Sequence, residues 1–234
     1  MIPKIVELRG HHFCDNLISA SPAILDLGGH KGEFSREMAD RRPGTTSLIV
    51  EADPGLFEAL QTAPGGRKIW AAASGSDGEA TFHASDNPEG GNIFSEEGEQ
   101  FTVKTHSLET LAGMLGAETV DLMKVDIEGA ELELFESASD SLLQRFKQIT
   151  IEFHDFLDPS HLPRIEKIFA RFESLGFMVV KCSMRYHRDV LVVSRSELAK
   201  AGIPAGMTSA ICRSKAACRA VSHNVQRMFN HSPQ

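Results

Sequence analysis

The 234-residue sequence predicts an α/β fold, a mostly parallel sheet with helices on both faces and an antiparallel last pair. Three observations carry this. Short apolar runs alternate with stretches of helical period, the pattern of strands joined by crossover helices. A glycine-rich turn follows the first apolar run, and an acidic residue ends the second. The last two runs lie too close together for a crossover helix, so they pair antiparallel, as mixed sheets permit.

In chain order, 23–27 (AILDL) is a buried first strand, and 31–41 a helix with Phe34 and Met38 at i, i+4 spacing. The second strand is 47–51, and Pro54 opens the next helix, where its missing N–H is harmless. A third strand runs over 68–73, and 79–83 forms a fourth outside the main alternation. The polar stretch 85–100 is long enough to be a functional loop; Gly90, Gly91, Asn92 and Phe94 suit it to fold over a bound molecule. Val103 leads into a helix at 108–115, and strand 120–126, helix 130–143, strand 148–153 and helix 162–175 continue the alternation. Strands 177–181 and 189–193 close it. The organisation expected is an N-terminal segment 1–22, a catalytic domain 23–195 and a basic tail 196–234, loosely helical or disordered, with a net charge of +4 from Glu197 onward.

The net charge of −8 speaks against a general nucleic-acid binder, because neutralising phosphates needs excess Lys and Arg. Cys14, Cys182, Cys212 and Cys218 form no CxxC pair, so they read as free thiols in a reducing compartment, with no structural zinc expected. No long apolar run marks a signal peptide or spanning helix, and the expected location is the cytoplasm, with no membrane partner. Nothing in the sequence speaks to oligomeric state.

The turn after the first strand reads D-x-G-x-x-x-G, from Asp26 through Gly28 and Gly29 to Gly32. Glycines there allow a tight turn and close approach of a ligand to the backbone. Glu51, nineteen residues past Gly32 at the end of the second strand, can accept both hydroxyls of a ribose. Dinucleotide folds present a similar pair with G-x-G-x-x-G. A leading carboxylate repels a pyrophosphate and suits the cationic amino group of S-adenosylmethionine (SAM).

The stretch 120–131, VDLMKVDIEGAE, sets an apolar strand directly against charges at its C-terminal end, where open α/β sheets bind ligands. It resembles the D-L-x-K-x-D-x-E-G-x-E hallmark of the FkbM family of SAM-dependent methyltransferases. The first turn and 50–54 (VEADP) look like the family's first two motifs. Residues 72–78, ending Ser-Asp-Gly, and 151–154 (IEFH) look like its later ones. The resemblance implies a Rossmann-like class I methyltransferase with a seven-stranded sheet, transferring methyl to a hydroxyl oxygen of a small molecule, a sugar or glycan or a polyketide-type product. It implies that Asp26, Gly28, Gly29, His30 and Gly32 cradle the methionine part of SAM, with Asp126 beside it, that Glu51 holds the ribose, and that Ala72 and Ala73 border the adenine. The family commonly has Ala-Asn where this chain has Gly29-His30, so this chain departs from the family pattern at the side-chain contact usually made by that Asn.

Asp126 and Glu128 lie two apart at one strand end, as do Glu152 and His154 at the next, so each pair shares a side. The expected general base is His154, near its reference pKa of about 6.5, oriented by Glu152 or Asp126. A secondary reading has Asp126, Glu152 and His154 hold Mg or Mn, which is not favoured because those side chains have roles without metal. Glu131 and Glu133 read as solvated helix-face charges, Lys124 as the partner of a nearby acid, His11 and His12 as surface groups, and His106 as the flank of a helix start. An N-methyltransferase and a catalytically silent SAM- or nucleotide-binding module are the alternatives; the absence of an N/D-P-P-Y/F motif lowers the first.

Overall fold

The structure is a computed structural model that describes residues 1–84, 99–156, 158–183, 186–215 and 217. Its first elements are strands β1 (Ile5–Leu8) and β2 (His11–Cys14), an antiparallel hairpin turned through Arg9 and Gly10, both at positive φ. Two residues of that hand match the twist of a two-residue hairpin. Then come β3 (Ala23–Leu27), α1 (Glu33–Arg41), β4 (Thr46–Glu51), α2 (Pro54–Ala59), β5 (Gly66–Trp70), β6 (Ala72–Ala73), β7 (Gly78–Ala84) and β8 (Glu99–His106). The chain continues through α3 (Leu108–Leu115), β9 (Leu122–Val125), α4 (Glu131–Ser137), α5 (Asp140–Leu143), β10 (Gln148–Ile151), α6 (Leu162–Ser174), β11 (Phe177–Lys181), β12 (Val190–Ser194) and α7 (Arg195–Lys200).

Seven strands form one sheet in the order β11-β12-β10-β9-β3-β4-β5. The pairs β10–β9, β9–β3, β3–β4 and β4–β5 are parallel, while β12 runs antiparallel to both neighbours. The expected mixed sheet is therefore present. Because β3 and β9 are central, their residues are buried on both faces, which is why 23–27 and 122–125 read as nearly continuous apolar runs. The main core joins Leu25, Leu27, Met123 and Val125 to Leu111 and Leu115 of α3 and Phe135 of α4.

Several expectations change. The third strand does not run through to 73. Ala71 N–H still donates to the Glu51 carbonyl, but β4 ends there, and Ala72 and Ala73 pair with β8 instead. Strand β8, read only as a lead-in at Val103, pairs antiparallel with β7 along seven positions. The helix expected over 130–143 breaks at Ala138, which is extended; Ser139 then caps α5 by accepting a hydrogen bond from the Leu142 N–H. A serine that offers its oxygen to the backbone favours such a restart over helix continuation. The tail is packed as far as it is described: Leu198, Ile203 and Cys212 are buried beside β11 and β12, the last on a helical segment over 205–215. Arg219 and Arg227 lie outside the described residues, as does the loop expected over 85–100 except for its last two positions. No helix among the described residues is long and apolar enough to cross a membrane.

Candidate active site

A cavity of about 570 Å³ opens at the C-terminal ends of β3, β4, β9 and β10, the ligand-binding edge of an open parallel sheet. One wall is the turn after β3. Gly28 sits at φ +75, and the N–H groups of Gly28 and Gly29 both donate to the Val50 carbonyl, at 3.0 and 2.9 Å. A Cβ on Gly28 would stand 1.6 Å from the Asp126 carbonyl oxygen, and one on Gly29 2.1 Å from the Ile49 side chain. His30 is also left-handed, φ +51, and aims its N–H at Glu51 Oε2, 2.7 Å away. Glu51 Oε1 accepts from the Asp53 N–H at 2.8 Å, so the carboxylate is fixed from behind with its remaining lone pairs free for a ligand. Burial pushes the Glu51 carboxyl above the usual carboxylate range, against the pull of those two N–H groups.

The floor is a buried charge network. Lys124 Nζ donates to the Gly28 carbonyl and lies 3.7 Å from Asp26 Oδ1 and 3.5 Å from Asp126 Oδ2. Asp26 is fully buried, accepts from Ser35 Oγ at 2.7 Å, and has no hydrogen bond to its other oxygen among the described residues. Burial raises its pKa although Lys124 opposes the rise. Asp26 and Gly32 are not among the residues lining the cavity, whereas Gly28, Gly29, His30, Glu51, Ala72, Ala73, Asp126, Glu152 and His154 are. Lys124→Met is expected to leave both aspartates without their cation and to destabilise the fold by about 3–5 kcal/mol, read as the urea midpoint.

The far wall holds the acidic motif. Glu128 and Gly129 adopt positive φ (53° and 108°), which turns the chain sharply between β9 and α4. Glu131, expected in solvent, is 1% exposed. Its Oε1 accepts from the N–H groups of Ile127 and Gly129, at 3.3 and 3.1 Å, and meets His154 Nδ1 at 2.9 Å. The turn folds the helix start back over its own carboxylate, a contact that helical periodicity does not report. His154 Nε2 lies 3.2 Å from Glu128 Oε2 and 3.9 Å from Asp126 Oδ1.

That clamp sets the electrostatics of His154, the residue expected as general base. Burial alone lowers an imidazole's pKa, but hydrogen bonds to Glu128 and Glu131 outweigh it and push His154 up to about 11. The two carboxylates favour the imidazolium, with an N–H directed at each, over the neutral ring that a general base needs. Glu152 shows the opposite tuning. Burial, then the neighbouring Asp126 charge, push its carboxyl up to about 7. Asp126 itself is held far below the usual range, burial being overcome by Lys124 and His11.

Sequence reasoning missed His11. Read as a surface group, it is 2% exposed and lines the cavity, its Nε2 3.7 Å from Asp126 Oδ2 and its ring edge against Phe34. Its only sequence signal is the adjacent pair His11-His12, which says nothing of where the hairpin docks. Arg9, Phe156 and Arg188 also line the mouth, and Arg188 stacks on the Phe156 ring at 3.8 Å. The set Asp126, Glu152 and His154 is not grouped as one metal site. Asp126 instead converges with Glu128 and His154, and separately with His11 and Glu152, donor atoms lying within 4.8 Å in each group. His106 does flank a helix start: with Ser107 and Thr110 it is tied to Asp77, whose pKa falls to about 2 through the Thr110 and His106 hydrogen bonds.

A family model for the "Methyltransferase FkbM domain" matches residues 26–179, about two thirds of the chain. The chain belongs to this family. The family's methyl donor, SAM, is therefore its cofactor, and the molecule is a SAM-dependent methyltransferase of Rossmann-like class I fold. The cavity fits that donor: a ribose-ready Glu51, small alanines at 71–73, and carboxylates for an amino group. A 72-residue stretch is 32% identical to part of the AMB antimetabolite synthetase AmbE of Pseudomonas aeruginosa. This chain spans only 3% of that protein's length. Among solved structures, human methyltransferase-like protein 13 with SAH is 12% identical (85% of this chain, 88% of that one, TM-score 0.45). Aeropyrum pernix fibrillarin with natively bound SAM is 14% identical (76% and 67%, TM-score 0.44). The family match stops short of Arg9, His11 and Arg188, so part of the mouth is built from segments outside it.

Proposed function

We propose that this FkbM-family enzyme transfers a methyl group to a hydroxyl oxygen of a small molecule, a sugar or glycan or a polyketide-type product. The observation that carries the reading is Glu152, a cavity-lining carboxylate tuned to about 7, the value suited to taking a proton at neutral pH. SAM, when bound, supplies a methyl group on a cationic sulfur. Glu51 holds the ribose hydroxyls, and the low-pKa carboxylate of Asp126 faces the amino group. Asp26 acts as a positioning residue through Lys124, which carries the Gly28 carbonyl. Glu152 accepts the acceptor's hydroxyl proton, and the His154 imidazolium holds the turn at Glu128 in place. A cavity of about 570 Å³ supports a small acceptor, and the buried free thiol of Cys14 fits a cytoplasmic setting.

Calorimetry with SAM and S-adenosylhomocysteine tests the cofactor half. Wild type is expected to bind both, and Glu51→Ala to bind about 10- to 100-fold more weakly, the worth of charge-assisted hydrogen bonds. No binding by wild type sinks the reading. A panel of sugar and polyketide alcohols, with methylated products located by mass spectrometry, tests the acceptor half. Methyl on nitrogen would make the enzyme an N-methyltransferase, and binding without any turnover would favour a silent SAM module.

A further inference from the structure

The adjacent histidines of β2 face opposite ways. His11 enters the catalytic cavity, and His12, fully buried, enters a second cluster on the other side of the hairpin. There His12, Cys182 and Asp189 each present a donor atom within 4.8 Å of the other two, and all three are buried. His12 Nδ1 lies 2.5 Å from Asp189 Oδ2, while its Nε2 is buried with no hydrogen-bond partner among the described residues. Cys182 follows β11, Asp189 precedes β12, and the Cys182 N–H donates to the Asp189 carbonyl at 2.7 Å, which brings the two side chains to one spot. A second thiol, Cys212 of the 205–215 helical segment, is buried in the same apolar cluster as Cys182. None of these four lines the catalytic cavity.

We propose that the converging donors of His12, Cys182 and Asp189, joined by the neighbouring Cys212 thiol as the fourth, form a structural zinc site that clamps the N-terminal hairpin and the C-terminal helical segment to the β11–β12 edge. Imidazole, carboxylate and two thiolates are a zinc donor set, whereas calcium and magnesium take oxygen. Four protein donors sealed from water leave no open position, the mark of a structural rather than a catalytic centre. On binding, the two thiol protons leave to solvent while the imidazole keeps one proton on the nitrogen that faces away from the metal, so affinity rises with pH. The close packing of a buried imidazole, carboxylate and thiol in an apolar cluster is otherwise costly, and the His12 Nε2 has only the Glu7 carboxylate near it among the described residues, 3.8 Å away. Chain spacing hides the set, since its donors are drawn from positions 12, 182, 189 and 212. Function benefits through the register of β2: fixing His12 fixes His11 beside Asp126.

The test uses the full chain, kept reduced with a phosphine and stripped of metal by a chelator. Zinc titration against a chromophoric chelator is expected to give one tight equivalent, and cobalt to give a thiolate charge-transfer band with the visible bands of a four-coordinate ion. Cys182→Ser should lose the band and bind zinc more than about a hundredfold more weakly, with circular dichroism confirming that it folds. As a control for that variant's folding, wild type alone also decides: absence of both the tight equivalent and the cobalt band overturns the proposal. A cobalt signal that survives Cys182→Ser, or one without thiolate character, places the ion at another site such as Asp126–Glu128–His154 and equally overturns it.

Discussion

Glu152→Gln is expected to lower kcat by roughly 10²–10⁴ while leaving SAM affinity within about threefold of wild type, because the amide keeps the shape and loses the proton-accepting charge. The pH profile separates this from a structural effect. Burial and the Asp126 charge raise the Glu152 carboxyl to about 7. A base must be deprotonated to act, so kcat should climb about tenfold per pH unit below that value and level off above it. The Gln variant should lose that limb. His154→Gln should behave differently. Its imidazolium is flanked by Glu128 and Glu131, so its removal unpairs buried carboxylates and loosens the turn, with loss of stability along with activity. Were His154→Gln to remove the limb near pH 7 and Glu152→Gln to retain it, the base would be His154 after all.

Gly28→Ala is expected to abolish SAM binding and lower Tm by roughly 10 °C, measured by calorimetry and thermal unfolding. Two costs combine. The left-handed backbone, φ +75, is worth about 1–2 kcal/mol against any residue with a Cβ. The added methyl would also lie 1.6 Å from the Asp126 carbonyl oxygen, a backbone atom that no side-chain rotation can move aside. Relief must come from parting the turn after β3 from the end of β9, the junction where Lys124 holds the Gly28 carbonyl. Gly32→Ala shares the positive φ but lies outside the cavity lining. Its Cβ meets the Gln61 carbonyl of a surface loop at 2.3 Å, so it should destabilise with a smaller loss of SAM affinity.

Much of the architecture was legible without coordinates because it is local. The mainly apolar stretches read as strands at 23–27, 47–51 and 120–126 are what a strand buried on both faces requires. Pro54 at a helix start is likewise read from its place between adjacent segments. The turn from Asp26 to Gly32 and the motif 121–131 were legible for the same reason: close backbone approach demands glycine in a short window, and acids must sit at a strand end. Where the reading failed, a distant partner decided. Ala72 and Ala73 left the main sheet for β8, thirty-odd residues on, and Ser139 split a helix whose apolar period ran straight through.

The sequence by itself determined the family, the donor turn and the strand ends that carry the acids, since each depends on residues within a dozen positions of one another. The tertiary structure alone decided what those groups are electrically. Burial and opposite charge set protonation, and both depend on neighbours far along the chain. The His154 pKa is raised because Glu128 and Glu131, the latter 23 residues away, meet its two nitrogens. Asp26, at the head of the turn, lies beneath the cavity because Ser35 and Lys124 hold it there. His11 joins the site, and His12 the buried thiols, because the hairpin docks across β10 and β12, an arrangement tied by Gln148 and Asp189 more than 130 residues away.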